Sequence, residues 1–301
     1  MPRLVECVPN FSEGRRREVV DEILGTIAGV AGVTLLDAEM DPDHNRSVLT
    51  FAGEPDPVAE AAYRAVKRAS ELIDLNHHSG QHPRMGAADV VPFVPIEGCT
   101  LDDCAALARS VGARIGGELA IPVFLYEAAA STPTRTSLAD VRRGEFEGLR
   151  AEIGRDPDRA PDEGPAAVHP QAGAVAVGAR PPLIAYNVNL NSQDLELARR
   201  IAGEIRERDG GLPCVKAIGL ALDDSVQVSM NLTDFRRTSI LTAFEAVRSR
   251  AAAAGAAVRD SEVVGLLPED AVTSLAREVL LAPALTRSQV LEARILDVLL
   301  S

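Results

Sequence analysis

Three of the five histidines in this chain, His77, His78 and His82, fall within a short stretch of sequence. An unperturbed imidazole titrates near neutral pH, so it can accept a proton and return it within one turnover. Arg84 follows His82 after one proline, and its planar guanidinium matches carboxylates. These residue types predict proton transfer by His82 on a substrate whose carboxylate Arg84 binds. A histidine that forms only local hydrogen bonds is an equally good interpretation of the spacing alone.

Two other kinds of site have little support around these histidines. His77 and His78 are adjacent and point apart, and no HExxH sequence or CxxC pair accompanies them, so no metal site is predicted. The chain also has no GxSxG sequence that would present a serine nucleophile. General acid-base chemistry at His82 is therefore the hypothesis to test.

A second pair of candidate binding residues, Asn45 and Arg46, opens a predicted strand beside several acidic side chains. Arg46 is interpreted either as a clamp for a substrate carboxylate or as an exposed charge at a strand end. The residue types do not decide between these two interpretations.

A glycine-bounded segment later in the chain is a candidate for binding a flat ligand, because glycine lets the backbone approach closely. It lacks the GxGxxG and P-loop spacings of nucleotide sites. Its residues are Gly164, Pro165, Ala166, Ala167, Val168, His169, Pro170, Gln171, Ala172 and Gly173.

The composition limits the classes of function. The 301 residues are 46% hydrophobic and 25% charged, as in a globular protein. The net charge of −13 argues against nucleic acid as a partner, because phosphate binding needs a basic surface. None of the four cysteines forms a CxxC pair, and there is no signal peptide or apolar run of membrane-spanning length. A cytoplasmic protein without membrane contact is therefore expected.

The loop that carries His77, His78 and His82, called the histidine loop from here on, is predicted to lie between rigid elements. A helix that starts at Pro55 precedes it, and a strand over 90–94 follows, while Gly80 and Gly86 break regular structure between them. Pro83 biases His82 toward an extended backbone, which helps to fix the angle of its ring. Loops held in this way commonly carry reactive side chains.

Other local signals set the remaining elements. Ser12 is a plausible helix N-cap, and Thr100 with Asp103 resembles a capping box. Helices are predicted over 136–154, 268–281 and 288–300, and 155–173 is interpreted as a long ordered loop or a connection between domains.

Both halves of the chain follow one plan, strand-helix-strand-strand-helix-strand, which is typical of a split βαβ unit. The sequences Asn10-Phe11-Ser12 and Asn189-Leu190-Asn191 each follow an apolar strand and precede a helix. We therefore predict an α+β fold of two duplicated ferredoxin-like subdomains, one over residues 1–180 and one over 181–301.

Several long motifs resemble the glutamate formimidoyltransferase family, also called glutamate formiminotransferases, over nearly the whole chain. They occur in the order that the family has. The matching residues are 4–14, Asn45-Arg46, 82–90 with Pro92-Phe93, 178–180, Asn231-Leu232 with Asp234-Phe235, and 264–266 with Pro268.

This resemblance implies specific roles. The catalytic histidine of the family falls on His82, and the folate-contacting segment falls on Gly164 to Gly173. It also implies a homodimer of two ferredoxin-like subdomains, with tetrahydrofolate as co-substrate and no metal. The chain length leads us to expect a transferase without the cyclodeaminase domain that is fused in the animal enzymes.

The implied reaction moves a formimino group from N-formimidoyl-L-glutamate to N5 of tetrahydrofolate, releasing L-glutamate, as in histidine degradation. His82 would act as base and acid, while Arg84, Arg46 and Asn45 would hold substrate carboxylates. Two alternatives stay open from the sequence: formyl transfer between 5-formyltetrahydrofolate and glutamate, and a folate-binding protein without catalytic activity.

Overall fold

Two compact units, divided after Pro181, form the computed structural model, which describes residues 3–291 and 293. Both units combine helices with a largely antiparallel sheet, so the predicted α+β class is confirmed. Within the described residues no helix has the length and apolar character needed to cross a membrane.

The first unit is built on one sheet. Its strands are β1 (Leu4–Cys7), β2 (Asn10–Phe11), β3 (Val33–Asp41), β4 (Arg46–Gly53), β5 (Ala88–Glu97), β6 (Val123–Glu127) and β7 (Val175–Ala179). Its helices are α1 (Arg17–Ala28), α2 (Pro55–Leu72), α3 (Leu101–Leu119), α4 (Leu138–Val141) and α5 (Glu145–Glu152).

The order of the strands brings distant parts of the sequence together. β1 and β2 share one position in the sheet, and each pairs with β4 on one side and β5 on the other. β3 pairs with the outer side of β4. β7 lies between β5 and β6 and is parallel to both. The loop that precedes β5 therefore lies beside the segment that precedes β7.

Each face of this sheet has its own apolar layer. α1, α2 and α3 cover one face because their apolar residues recur at helical spacing, as Val19, Ile23 and Ile27 do in α1. On the opposite face, apolar side chains of β5, β6 and β7 pack against Leu149 and Ile153. Met85, from the histidine loop, is fully buried in this second layer and anchors the loop there.

Local predictions in the first unit had mixed outcomes. The capping box is confirmed, since Thr100 accepts a hydrogen bond from the Asp103 amide and the Asp103 carboxylate accepts one from the Thr100 amide. The single helix over 136–154 is wrong, because Gly144, with a φ of 78°, separates α4 from α5. Ser12 is not a helix cap: α1 begins at Arg17, and the Ser12 hydroxyl donates to the Gly86 carbonyl.

The segment 155–173 is an ordered loop inside the first unit, and it does not connect the two units. It leads into β7, a strand that the sequence analysis did not predict. Backbone hydrogen bonds hold its last residues against the histidine loop: the Leu75 amide donates to the Gln171 carbonyl and the Ala87 amide to the Ala172 carbonyl, each at 2.9 Å.

The second unit is a four-stranded antiparallel sheet, with strands in the order β11, β8, β10, β9. α6 and α7 pack on its apolar face. The strands are β8 (Ile184–Leu190), β9 (Val215–Ala221), β10 (Val226–Leu232) and β11 (Val258–Val264). The helices are α6 (Leu195–Ile205), α7 (Ile240–Ala253) and α8 (Glu269–Leu280). The helix predicted over 268–281 is thus confirmed, whereas most of 288–300 lies outside the described residues.

The close approach of the histidine loop to the segment before β7 predicts a large effect of Gly86→Ala. A Cβ at Gly86 would lie 1.7 Å from the Ala174 carbonyl oxygen, so the backbone would have to move. We expect Gly86→Ala to lower the free energy of unfolding by about 2 kcal/mol or more, measured by urea denaturation.

Gly117→Ala in α3 is the matched control, because a Cβ there meets nothing within 4 Å. Alanine should leave stability unchanged or raise it by up to ~1 kcal/mol. Equal stability of the two variants would contradict a tight contact at Gly86.

Candidate active site

A carboxylate with no solvent exposure, that of Asp89, lies at the centre of the candidate site. Arg46 Nη1 donates to its Oδ2 at 2.7 Å, and Arg142 Nη2 donates to the same oxygen. The Met85 amide donates to Oδ1 at 2.9 Å. One side chain thus joins the start of β4, the end of α4 and the histidine loop.

Asp89 and Arg46 both keep their charge at neutral pH. Burial alone would raise the pKa of Asp89, but Arg142 and Arg46 together lower it to about 2. Burial lowers the pKa of Arg46 to about 10, which still leaves the guanidinium protonated. Two cations around one carboxylate give the cluster a net positive charge.

His82 is half-buried beside this cluster, and its proton positions follow from its hydrogen bond. Its Nδ1 lies 2.8 Å from the Pro83 carbonyl oxygen. A carbonyl can only accept, so Nδ1 carries the hydrogen and Nε2 carries the lone pair. Burial lowers the pKa of His82 well below its ordinary value, and the charges of Arg46 and Arg142 lower it further. His82 is therefore neutral at physiological pH, with Nε2 as a base.

His78 has a different role from His82, although both lie on the same loop. Its Nε2 donates to the Asn45 carbonyl at 2.9 Å, and its Nδ1 accepts from Arg84 Nε at 3.2 Å. Nε2 therefore attaches the loop to the turn that precedes β4, and Nδ1 joins two residues of the loop itself. His77, in contrast, is exposed at the surface.

Asn45 holds three segments of the site together. Its Oδ1 accepts from the Gly14 amide and its Nδ2 donates to the Ser79 carbonyl, each at 3.0 Å. It has a φ of 47°, in the left-handed region that asparagine tolerates better than most residues. The predicted site residue Asn45 thus fixes the turn before Arg46.

The guanidinium of Arg84 is bound to carboxylates of the protein itself. Arg84 Nη1 and Nη2 donate to the two oxygens of Glu147 at 2.8 and 2.7 Å, and Nη1 also donates to Glu145 at 3.1 Å. Arg46 is held by Asp89 and by Asn10, whose Oδ1 accepts from Nε and Nη2. A role of either arginine in binding a substrate carboxylate stays a prediction.

The segment from Gly164 to Gly173 divides into an exposed part and an anchored part. Residues 164–167 are exposed, while Ala172 and Gly173 are buried against the histidine loop. Two reciprocal backbone hydrogen bonds between His169 and Gly173 close this end of the segment. The structure therefore brings the second half of the segment into contact with the loop that carries His82.

Sequence reasoning missed two members of the site, Arg142 and His44. Arg142 follows a four-residue helix and has no motif around it, so only the packing of α4 against the sheet identifies it. The His44 ring lies 5.9 Å from the His82 ring, centre to centre. Its place in the sequence two residues before Arg46 was the one available signal.

A metal site does not emerge from this arrangement. Among the residues that the structure describes, no group of three or more His, Cys, Asp or Glu side chains is placed to hold a metal ion. The neutral base and the adjacent guanidiniums together suit proton transfer on an anionic substrate.

Comparison with known proteins identifies relatives over most of the chain. Residues 4–180 match the model for the formiminotransferase domain, N-terminal subdomain, and residues 185–286 match the model for the formiminotransferase domain. The glutamate formimidoyltransferase of Thermoplasma acidophilum is 48% identical over 295 residues, covering 97% of each chain.

Two further relatives extend the comparison. The glutamate formimidoyltransferase of Streptococcus pyogenes is 47% identical over 92% of this chain and 93% of its own. The formimidoyltransferase-cyclodeaminase of Sus scrofa is 45% identical over 92% of this chain, which spans 52% of that longer protein. The chain therefore belongs to the formiminotransferase family.

Proposed function

We infer that this chain is a glutamate formimidoyltransferase, which transfers the formimino group of N-formimidoyl-L-glutamate to N5 of tetrahydrofolate. The observation that carries this inference is the neutral His82, whose Nε2 is an available base beside Arg46 and Arg142, in a member of the formiminotransferase family. The products are 5-formimidoyltetrahydrofolate and L-glutamate, so the enzyme links histidine degradation to one-carbon metabolism. Tetrahydrofolate acts as a co-substrate.

The proton transfers of this reaction fit the state of His82. N5 attacks the formimino carbon, and His82 Nε2 takes the N5 proton as the tetrahedral intermediate forms. The same imidazole then gives a proton to the glutamate nitrogen, whose bond to carbon breaks with the electron pair going to nitrogen. A positioned imidazole typically contributes ~10²–10⁴-fold to such a rate.

Folate binding is proposed for Gly164 to Gly173, supported by the exposure of residues 164–167 and by the contact of Ala172 with the histidine loop. Arg46 and Asn45 are proposed to position substrate carboxylates, to which Arg142 adds positive charge. Arg84 keeps the same proposed role, on the condition that a substrate carboxylate replaces Glu147.

We also propose that residues 1–180 and 181–301 form duplicated ferredoxin-like subdomains. The sheet order of the second unit is its fourth, first, third and second strand. In the first unit the strands up to β5 have the same order when β1 and β2 count as one strand, and β7 and β6 extend the sheet beyond β5. A homodimer in the cytoplasm is the proposed assembly. Leu35 and Leu36, exposed on the edge strand β3, support a contact between copies.

The transfer itself is tested by mixing the purified chain with tetrahydrofolate and N-formimidoyl-L-glutamate. Acid then converts any 5-formimino product to the absorbing methenyl compound. We expect absorbance that depends on both substrates and on enzyme. No absorbance with this donor, together with turnover of 5-formyltetrahydrofolate and glutamate, would show formyl transfer. Folate binding without turnover of either donor would show a binding protein.

The role of His82 is tested by His82→Ala, with the exposed His77→Ala as the matched control. Loss of the Nε2 base should lower kcat by ~10²–10⁴-fold while substrate affinity changes little. His77→Ala should retain wild-type turnover in the same steady-state assay. A His82→Ala variant with near-wild-type kcat would remove His82 from the mechanism.

The pH dependence of kcat/KM tests the charges around His82. Because the pKa of His82 is lowered, its base form persists below pH ~6.5, and kcat/KM should fall only at lower pH. Arg142→Met removes a positive charge that lowers this pKa, so the acid limb should move to higher pH. Arg143→Met, at an exposed neighbour, should leave the limb unchanged. An unshifted profile in Arg142→Met would contradict the electrostatic role.

A further inference from the structure

A second imidazole in the site, that of His44, is held in a defined state by the turn between β3 and β4. Asp41 accepts from the His44 backbone amide and from its ring Nδ1, each at 2.8 Å. Because a charged carboxylate only accepts, Nδ1 carries a hydrogen, and in the neutral ring Nε2 carries the lone pair. Burial would raise the pKa of Asp41, but its hydrogen bonds to His44 lower it overall, so the carboxylate is charged at neutral pH.

The Nε2 of His44 is a buried polar atom that no hydrogen bond satisfies. His44 is 7% exposed, and its Nε2 has no partner in the part of the chain that the structure describes. Buried polar atoms without partners are uncommon and costly in folded proteins. An unpaired lone pair on an imidazole beside a carboxylate suggests that Nε2 has a partner during turnover.

His82 is the ring that lies against His44. The two ring centres are 5.9 Å apart and the planes meet at 76°. Tight backbone contacts fix this arrangement: a Cβ at Gly80 would lie 2.2 Å from the His44 carbonyl oxygen, and the Gln81 amide donates to the Asp43 carbonyl. Ring centres at this separation are close enough for ring nitrogens that face one another to share one bridging water.

The charges on the two sides of this pair differ in sign. His82 faces Arg46 from β4 and Arg142 from the end of α4, with Asp89 of β5 between them, so a proton on His82 meets net positive charge. His44 faces the carboxylate of Asp41 in its own turn. A proton that passes from His82 to His44 therefore moves away from net positive charge and toward a carboxylate.

We propose that the Asp41–His44 pair is a proton relay that receives the proton His82 has taken from N5 and later returns it through His82. This deepens the proposed transfer reaction and rests on it. His82 Nε2 gains the N5 proton and passes it to His44 Nε2, so that His44 becomes an imidazolium paired with Asp41. The proton then returns through His82 to the glutamate nitrogen as its bond to carbon breaks, and both imidazoles end neutral.

The relay gives His82 a neutral state while the tetrahedral intermediate persists. Without it, His82 would remain an imidazolium near Arg46 and Arg142 until the glutamate nitrogen is in position. His44 acts through His82 in this scheme, and Asp41 fixes both the tautomer and the orientation of the relay ring.

The test uses His44→Asn, because an asparagine amide can keep the hydrogen bond to Asp41 while removing Nε2. We expect kcat to fall about tenfold or more, with KM within about twofold of wild type and an unchanged melting temperature. Added free imidazole should raise the turnover of His44→Asn in proportion to its concentration, because it replaces the missing proton acceptor. Wild-type turnover should not respond.

Asp41→Asn and the double variant with His44→Asn complete a double-mutant cycle. If the two residues act as one unit, the double variant should be no slower than His44→Asn alone. Asp41→Asn also tests the relay if His44→Asn does not fold. Wild-type turnover within about twofold in His44→Asn would overturn the relay, as would a loss that is accompanied by a lower melting temperature and does not respond to imidazole.

The wild-type chain and His82→Ala are assayed alongside these variants. Absence of product from the wild-type chain would overturn the proposed transfer, and the relay with it. Normal wild-type turnover with an unaffected His44→Asn would overturn the relay alone and leave the transfer reaction in place.

Discussion

The buried charge of Asp89 is the constraint on which the rest of the site depends. A carboxylate removed from water is tolerated only when it is paired and hydrogen-bonded, so Arg46, Arg142 and the Met85 amide must all stay in place. These partners come from a strand, a helix end and a loop that are far apart in sequence. Pairing the carboxylate therefore also fixes the surroundings of His82, whose pKa is lowered first by burial and then by the charges of Arg46 and Arg142.

Much of this site could be predicted from sequence because its signals are local. Glycines and a proline around His82 predicted a loop between a helix and a strand, and α2 and β5 lie where they were expected. The role of Arg142 could not be predicted in this way. It depends on a contact across 53 residues of sequence, and its neighbours Val141 and Arg143 carry no motif. The different roles of His78 and His82 likewise follow from their tertiary hydrogen bonds and not from their spacing in the sequence.

The errors have physical causes. The prediction of one helix over 136–154 ignored Gly144, whose positive φ interrupts the helix two residues after Arg142. The strand Val175–Ala179 was missed because a long run rich in proline and glycine precedes it and was interpreted as a possible connection between domains. Ser12 satisfied the pattern of a helix cap, but it donates to Gly86 and so helps to hold the histidine loop.

The position of β7 has a consequence for how the protein folds. β7 is synthesised after β5 and β6 but lies between them, so the sheet cannot close in the order in which the chain leaves the ribosome. Parallel pairing between distant segments forms slowly, because the entropy of loop closure is lost before the contacts form. The histidine loop gains its hydrogen bonds to residues 171–174 only when β7 has entered the sheet. The catalytic geometry is thus a late product of folding, and a nascent chain that ends before β7 holds an incomplete site.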